Sequence, residues 1–461
     1  MHLLRAGLTV LLAATLAACT TFSPDAGQAR VRQLAAARGQ ALPAATGGER
    51  EAHIAPLLAA PLTADAAVDI ALLNNRSLQA GYAELGIAEA DLVQAGRLPN
   101  PVFTFSRLRA HDGVEIERKL LLPVIGLLTM PLARPLEARR YDMAQMRTAA
   151  DALRVADETR RAWTTAVAAQ QSAAYMEQVK SAAEAGADLA ARMAQAGNWS
   201  ALQQAREQAF YADAVAQLAR ARHASMVERE KLTRLMGLSG QSLAFTLPDR
   251  LPELPPQARA EQDAEGAAMA NRLDVLMAQQ ELAGLAASLG LTRSTRFVNL
   301  LDVSWLHNQG ADGARSNGYE IELQIPLFDW GGARVAKAEA MYMQAVQRAA
   351  GITIDAGSQV REAYSGYRTA YELARHYRDE VVPLKKKISD EQLLRYNGML
   401  ISVFELLADA REQVASVNAA IEAQRDFWVA DAALQAALTG AGGGAGPALR
   451  AGPAAAAAPQ H

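Results

Sequence analysis

Two short stretches of the chain alternate between apolar and polar residues. The stretch GYEIELQI at 318–325 places four apolar side chains on one side of an extended backbone, namely Tyr319, Ile321, Leu323 and Ile325. Its polar side carries Glu320 and Glu322. The stretch GVEIERKL at 113–120 alternates nearly as well and carries Glu115 and Glu117 on its polar side. A period of two predicts β-strands with one apolar and one wet face.

Each alternating stretch is predicted to be the second strand of a hairpin. The predicted strands are 102–109 and 113–122 in the first half of the chain, and 296–307 and 318–327 in the second half. A soluble hairpin packs its apolar face on helices of the same chain, and one alternating segment is a weak signal for a membrane barrel. Here the strands lie between very long predicted helices, with no compact domain nearby to cover them. Several copies of the chain could together close the strands into a barrel without open sheet edges.

The segments after the strands are predicted to form long helices. Two long helices (133–196 and 332–396) are each followed by a shorter one (199–236 and 401–439), in segments rich in residues that favour helix. In the second long helix, apolar residues recur at spacings of three and four, at Val360, Tyr364, Tyr367 and Tyr371. A continuous helix of about 60 residues is about 90 Å long. Rods of this length predict antiparallel, coiled-coil-like packing.

The predicted elements occur twice in the same order, which indicates a tandem duplication. Residues 63–247 form the first repeat and residues 263–439 the second, and a proline-rich link at 248–262 joins them. Each repeat has an initial helix, two strands, a long helix and a returning helix. The Asn-Arg pairs predicted to match at the start of the initial helices are Asn75-Arg76 and Asn271-Arg272.

The first residues are typical of a bacterial lipoprotein signal. Residues 1–18 contain a basic Arg5 and a short apolar run, and the sole cysteine of the chain, Cys19, follows directly. Cys19 is therefore the expected attachment site of a covalent lipid; an ordinary signal peptide is the alternative. Thr20 after the cysteine favours the outer membrane. No later window is apolar enough to predict a transmembrane helix.

The two ends of the mature chain show no clear periodicity. Residues 19–62 mix alanine, glycine and proline and are expected to form a poorly fixed N-terminal arm. Residues 440–461 are of low complexity and are expected to be disordered. The folded body is therefore predicted to lie between these ends.

Composition narrows the class of function. The chain has 461 residues, is 51% hydrophobic and has a formal net charge of −3, with scattered Lys and Arg, so no nucleic-acid partner is expected. The seven histidines lack the spacing of metal ligands, and no nucleophile elbow or Walker motif occurs. We therefore expect no enzymatic activity, no catalytic residue, no metal site and no cofactor apart from the lipid. The thirteen methionines suit gap-filling in helical cores, and a copper relay is the alternative.

Three segments in order resemble the TolC-like outer-membrane efflux protein family. They are ALLNNRSLQAGYAELGIAEADLVQAGRLPNP before the first strand, GYEIELQIPLFDWGGARVAKAE at the last strand, and LLRYNGMLISVFELLADAREQVASVNAAIEA at the second helical turn. The resemblance covers roughly residues 63–439. It implies a mainly α chain with a small β part, four strands of which join those of two further copies in a trimeric twelve-stranded outer-membrane barrel continued by an α-helical tunnel.

The resemblance also implies a function and partners. Such homotrimers are passive exit ducts for small molecules, drugs or metal ions, and they work with a periplasmic adaptor and an inner-membrane transporter. A type I protein-secretion duct is an alternative within the same class. A periplasmic coiled-coil lipoprotein scaffold without a pore is the alternative from another class.

The family's adaptor-facing tip corresponds to the two helix–helix turns of this chain. The matching positions are Gly197, Asn198, Ser200, Tyr396, Gly398, Leu400 and Ser402. The second turn departs from the family pattern, because the usual glycine falls where this chain has Met399. The apolar residues there either dock a partner or cap the coiled coil.

The resemblance further implies an acidic ring at the periplasmic mouth. Its positions correspond to Glu405 and Ala408, so one acid is missing and Asp409 stands next to its place. The alternative for Glu405 is a solvated glutamate on a helix surface. In the barrel, Glu115, Glu117, Glu320 and Glu322 would face the lumen, and Tyr319, Ile321 and Leu323 would face outer-membrane lipid.

Overall fold

The computed structural model describes residues 22–44, 49–111, 113–260, 264–295, 301–325 and 327–441. The predicted signal peptide, the lipid site Cys19, residues 296–300 of the third predicted strand and residues 442–461 of the predicted tail lie outside the described residues. Predictions about these segments therefore remain predictions.

The described residues form helices and one small sheet. In chain order they are α1 (Gln28–Ala36), α2 (Glu49–Leu58), α3 (Ala64–Asn74), α4 (Arg76–Ala95), β1 (Val102–Ala110), β2 (Gly113–Pro123), α5 (Val124–Gln195), α6 (Ala201–Met236), α7 (Ala264–Asn271), α8 (Leu273–Thr295), β3 (Leu301–Gln309), β4 (Arg315–Leu323), α9 (Gly332–His376), α10 (Val382–Asn397) and α11 (Val403–Thr439). The predicted class, mainly α with a small β part, is confirmed.

The four strands form one antiparallel sheet in the order β1-β2-β3-β4. Strand β4 begins at Arg315, three residues before the predicted start, and ends at Leu323 rather than at 327. The polar residues Arg315, Ser316 and Asn317 pair with the end of β3 although they do not alternate with apolar ones. Backbone pairing, which the side-chain pattern does not record, extends this strand towards the turn.

The chain divides into two compact units that cut across the two sequence repeats. One unit comprises Met1–Leu34, Ala80–Ala149 and Leu273–Ile354, and it contains the sheet. The other comprises Ala35–Gln79, Ala150–Arg272 and Asp355–His461. Each unit therefore draws on both repeats.

The second unit has an extensive apolar core. The indole of Trp163 on α5 is buried and donates to the carbonyl oxygen of Leu62 at 2.7 Å. On α9 the predicted apolar stripe is confirmed, because Val360, Tyr367 and Tyr371 are buried. These positions pack a helix along one face, as a period of 3.6 requires.

The proline-rich link is fixed against the helices of this unit. The hydroxyl of Tyr371 donates to the carbonyl oxygens of Pro255 and Pro256 at 3.1 and 3.0 Å. The indole nitrogen of Trp428 donates to the carbonyl oxygen of Pro252 at 3.0 Å. Since prolines offer carbonyls without competing N–H groups, the link accepts side-chain donors from the helices it crosses.

The long helices differ from their predicted bounds. Helix α5 begins at Val124, directly after β2, and contains Pro131 and Pro135, whereas the prediction placed its start at 133. The predicted helix 332–396 is interrupted by a π-helical segment, Tyr377–Val381. There the N–H of Val382 donates to the carbonyl oxygen of Tyr377, five residues earlier. Pro383 follows directly and has no N–H to continue the α-helical ladder, which accounts for the interruption.

The N-terminal arm is more ordered than the sequence predicts. Residues 28–36 form α1, in which Val31 is completely buried. Next to it, the backbone N–H of Ser23 donates to the Glu89 carboxylate at 2.6 Å. In the second unit, Ile54 of α2 joins the apolar core. Short alanine-rich helices carry little periodic signal, so packing rather than local pattern orders them.

The predicted match between the two Asn-Arg pairs is wrong by one residue. The helix break falls at Asn75 in the first repeat and at Arg272 in the second. Each break residue sends its side chain to the end of the returning helix, with Asn75 donating to the Leu235 carbonyl at 2.9 Å and Arg272 to the Ala437 carbonyl at 2.7 Å. The structural equivalents are therefore Asn75 and Arg272, which make the corresponding hydrogen bond with different side chains.

Candidate functional site

One face of the sheet is apolar in the rows nearest the helices. Directly opposed residues of neighbouring strands share a face, so the register defines rows across the sheet. One row consists of Phe103, Leu120, Trp305 and Tyr319. The next row towards the helices consists of Leu122, Val303 and Ile321, and Leu301 pairs with Leu323 beyond it.

Most side chains of this apolar face are exposed. Tyr319 is 79% exposed, and Ile321 and Leu323 are more than half exposed. The apolar sides of both alternating sequence stretches therefore lie on one continuous surface. Nothing among the described residues of the chain covers it.

The opposite face is polar and acidic. It carries Glu115 and Glu117 of β2 and Glu320 and Glu322 of β4. The Lys119 ammonium lies on the same face, 2.8 Å from the Glu320 carboxylate. The predicted separation of carboxylates from apolar side chains is thus present in the sheet, while their roles towards lumen and lipid remain predictions.

The apolar face carries basic residues that the sequence reading missed. Arg118 is directly opposed to Phe105 and His307, one row closer to the turns than Trp305. The following rows hold three more arginines, namely Arg107, Arg109 and Arg315. The alternation along each strand is the sequence signal that marks them, because each arginine falls on the apolar side.

The first predicted tip is a helix–helix turn with a left-handed residue. Gly197 has φ of 76°, and the N–H of Asn198 donates to the carbonyl oxygen of Met193 at 2.9 Å. This bond closes the C-terminal end of α5. Gly197 and Asn198 are exposed, so this turn presents its backbone to solvent.

The second predicted tip repeats this geometry with a different residue. Met399 has φ of 58°, and the N–H of Leu400 donates to the carbonyl oxygen of Arg395 at 2.9 Å. Gly398 has φ of −81° and is not the left-handed residue. Met399 is 93% exposed and Leu400 is 76% exposed, while Tyr396 is half-buried. The turn thus displays two apolar side chains on a strained backbone.

The two tip serines cap the helices that follow. The Oγ atom of Ser200 accepts from the N–H of Gln203, whose side chain accepts from the N–H of Ser200 at 2.8 Å. Ser402 Oγ accepts from the N–H of Glu405 at 3.3 Å. The sequence signal was available, because both turns read Ser-x-x-Gln/Glu before a helix. Their first role is therefore structural.

The predicted acidic gate residues differ in their surroundings. Glu405 is exposed in the first turn of α11. Asp409 is half-buried, and its Oδ2 atom is buried without a hydrogen-bond partner among the described residues. The two lie one helical turn apart on the same side of α11. Whether they form a ring depends on further copies of the chain.

Solved structures of membrane proteins, among them outer membrane channels, share this architecture. A membrane protein from Pseudomonas aeruginosa superposes with a TM-score of 0.70 at 20% identity, covering 81% of this chain and 92% of its own. The Campylobacter jejuni CmeC outer membrane channel gives 0.72 at 15% identity, covering 82% and 86%. The open state of the Neisseria gonorrhoeae MtrE outer membrane channel gives 0.68 at 16% identity, covering 82% and 89%. The chain has the TolC-like fold. No protein-family model and no curated protein matches the sequence.

Within this TolC-like fold, an ion pair next to the tips was not predicted. Glu207 on α6 is 2% exposed, and its Oε1 atom lies 2.8 Å from the guanidinium of Arg411 on α11. The same guanidinium stacks 4.4 Å from the ring centre of Phe210. This pair fastens the returning helix of the first repeat to that of the second. No sequence pattern marks it, since the partners lie 204 residues apart.

The rest of the described chain adds no metal or helical membrane site. Among the described residues, no group of three or more His, Cys, Asp and Glu side chains could hold a metal ion. No helix within the described residues is both long and apolar enough to span a membrane.

Proposed function

We propose that the chain is the outer-membrane exit duct of an efflux system and works as a homotrimer. The observation that carries this proposal is the continuous, exposed apolar face of a four-stranded sheet whose other face is acidic. Leaving one large aliphatic or aromatic side chain exposed to water forgoes roughly 1.5–3 kcal/mol. The face holds several such side chains, so contact with lipid would stabilise the sheet strongly by removing them from water.

The two edges of the sheet support closure with further copies. Strands β1 and β4 each have a neighbour on one side only among the described residues. Three copies would supply twelve strands, and each β4 could pair with the β1 of the next copy. Closure would satisfy the open backbone groups, which is required in lipid. It would also turn Glu115, Glu117, Glu320 and Glu322 into a watery lumen.

The proposed cargo passes through without chemistry. An acidic lumen favours cations or polar solutes with positive charge. Drugs, other small molecules and metal ions are the cargo classes of the proposal, and protein secretion is its alternative. An inner-membrane transporter would supply the energy, and the chain would extend from the outer membrane into the periplasm.

The membrane test is a pair of substitutions on the apolar face. Ile321→Lys with Leu323→Lys should prevent assembly in the outer membrane, because each cation on a lipid face costs about 2–4 kcal/mol near the midplane. The matched control is Glu322→Lys, which lies between them on the polar face. Outer-membrane fractionation and cross-linking of trimers provide the readout. Normal membrane trimers in the double variant would support a periplasmic scaffold instead.

The proposed adaptor contact is the tip formed by the two turns. Its apolar part is Met399 and Leu400, which nothing covers within the described residues of their unit. Leu400→Asp should weaken co-purification with the periplasmic adaptor, whereas Asn397→Asp, exposed at the end of α10, should not. Equal recovery of the adaptor with both variants would place the contact elsewhere.

The proposed lipid anchor is Cys19. Metabolic labelling with palmitate should mark the chain and should fail for Cys19→Ala. The Cys19→Ala variant should still assemble as trimers, because its apolar face is intact. Labelling that persists without Cys19 would contradict the proposed lipid attachment at this residue.

A further inference from the structure

The charges of the sheet are divided between its two faces almost completely. On the apolar face the register places four arginines and no acidic residue, namely Arg107, Arg109, Arg118 and Arg315. On the opposite face it places five acids, namely Glu115, Glu117, Asp302, Glu320 and Glu322, together with Lys119. A face in contact with water tolerates charges of either sign. Positive charges alone on the apolar face therefore favour a negatively charged partner there.

The arginines are also confined to one end of that face. The rows next to the helices are wholly apolar, from Leu301 and Leu323 up to Trp305 and Tyr319. The arginines lie in the rows beyond, towards the turns. Arg118 is one row past Trp305, which is about 7 Å along a strand, and Arg315 is two rows past Tyr319, about 14 Å.

The apolar part has the height of a membrane band. Ile325 follows Tyr319 by six positions, which span at most about 20 Å, and both side chains are mostly exposed. Outer-membrane barrels have an apolar band about 25 Å tall with aromatic residues at its borders. Trp305 and Tyr319 are opposed at the border nearest the arginines. The arginines therefore lie where an apolar band would give way to headgroups.

No residue that the structure describes forms an ion pair with these arginines. Arg107, Arg109 and Arg315 are exposed and Arg118 is half-buried. The carboxylates of the sheet point to the other face and cannot reach them. A second copy that adds its strands edge to edge would bring its own four arginines to the apolar face. The positive charge of that face would then increase.

We infer that Arg107, Arg109, Arg118 and Arg315 form a binding surface for the phosphate groups of lipid headgroups at the turn end of the sheet. Guanidinium groups suit this ligand, because their planar fork donates two parallel hydrogen bonds to phosphate oxygens. Phe105, Ile116 and Val114 stand directly opposite arginines in these rows. The surface thus offers acyl-chain contact and phosphate contact side by side.

The inference rests on the proposed membrane function, and the test separates the two. The whole chain is reconstituted in bilayer discs that contain phosphatidylcholine with either brominated phosphatidic acid or brominated phosphatidylcholine. Bromine quenches tryptophan fluorescence on contact, and Trp305 lies one row from Arg118. The fluorescence of Trp305 is obtained as the difference in emission between the chain and its Trp305→Phe variant.

We expect brominated phosphatidic acid to quench Trp305 with at least about fivefold preference over brominated phosphatidylcholine. The preference should disappear when all four arginines are changed to Gln. A matched control changes four exposed arginines outside the sheet to Gln and should keep the preference; these are Arg97, Arg147, Arg220 and Arg348. Equal quenching by both lipids, or a preference that survives loss of the sheet arginines, would overturn the inference and leave the duct proposal intact.

Two further outcomes complete the test. If neither lipid quenches Trp305, the sheet does not contact lipid, and the proposed function fails together with the inference. If loss of four charges prevents assembly, the lipid preference of the unchanged chain is measured at low and at high salt instead. Salt weakens charge attraction, which is screened within about 10 Å at about 0.1 M salt. The preference should then fall by more than half at high salt, and a preference independent of salt would overturn the inference.

Discussion

The ion pair between Glu207 and Arg411 allows a quantitative prediction. Arg411→Met removes the charge partner of a carboxylate that is 2% exposed and leaves the Phe210 ring without its cation. Loss of one partner from a fully buried pair costs about 3–5 kcal/mol. The Arg411 side chain is 35% exposed, so water screens part of the interaction. We therefore expect a loss of about 2 kcal/mol in the local stability of α6 and α11.

Hydrogen–deuterium exchange of the purified chain measures this loss where it occurs. A change of about 2 kcal/mol corresponds to exchange about 30-fold faster in the amides around Glu207 and Arg411. Exchange near Trp163, far along α5, should stay unchanged, because its hydrogen bond to Leu62 does not involve the pair. A local readout is preferable to a melting temperature, since a chain of two compact units need not unfold in two states.

A double substitution and a surface control isolate the cause. Glu207→Met with Arg411→Met removes both charges and should restore exchange to within about 1 kcal/mol of the parent, because no buried charge is left alone. Arg222→Met breaks an exposed pair with Glu177, whose side chains are 64% and 46% exposed, and should cost at most about 1 kcal/mol. Parent-like exchange in Arg411→Met, or a double variant as fast as the single one, would refute the reasoning.

Three shorter predictions address the turns, a buried acid and the proposed gate. Met399→Gly should stabilise the second turn by up to about 1 kcal/mol, and Gly197→Ala should destabilise the first by a similar amount, because both positions have a left-handed backbone. The Cβ added at Gly197 meets only open space, so backbone strain is the whole cost there. If strain were absent, amide exchange at the turns would change with the opposite sign. Burial, opposed by Arg161, raises the pKa of Asp157 to about 6, so its contribution to stability is greatest below about pH 4 and is lost as pH rises through 6. The thermal midpoint of Asp157→Asn should therefore depend less on pH in that window than that of the parent, and identical profiles would contradict this. Under the proposed function, Glu405→Gln should lower the cation preference in planar bilayers, and unchanged selectivity would leave Glu405 as a solvated glutamate on a helix surface.

The sequence predicted those features that a simple period encodes. Alternation in 113–120 and 318–325 placed side chains on the correct faces of one sheet because strand geometry leaves only two sides. The stripe on α9, including Tyr367 and Tyr371, followed from the helical period. Both are local properties, in which each residue's neighbours along the chain fix its direction.

Features that depend on distant partners were not predictable. Arg272 replaces Asn75 at the helix break because either side chain can donate to the carbonyl ends of the returning helix. The residue offset between the repeats also varies along the chain, so matching letters misaligned this position. The ion pair of Glu207 with Arg411 and the contacts of Tyr371 with the proline-rich link likewise join residues far apart in sequence. Their signal lies in the packing and not in the pattern.

The arginines of the apolar face were not predicted, although Arg118 lies within an alternating segment. The segment VEIERKL has its acids on one side, and its arginine falls on the apolar side, at Arg118. An arginine there contradicts a purely apolar face. In the sheet it aligns with Arg107 and Arg315 of the edge strands in adjacent rows. The arginines of three of the four strands therefore form one group that no single strand reveals.

The two tips show that the fold sets the backbone of a turn and leaves the side chain free to vary. Gly197 and Met399 occupy equivalent positions, with φ of 76° and 58° and matching bonds from the next residue back to the helix. Each turn is followed by a serine cap, so the geometry is imposed from both sides. A left-handed methionine is less stable than glycine there by about 1 kcal/mol, and its exposed side chain offers the turn no packing in return. Within the chain Met399 thus opposes stability, and under the proposed function the compensating contact must come from the partner that the tip binds.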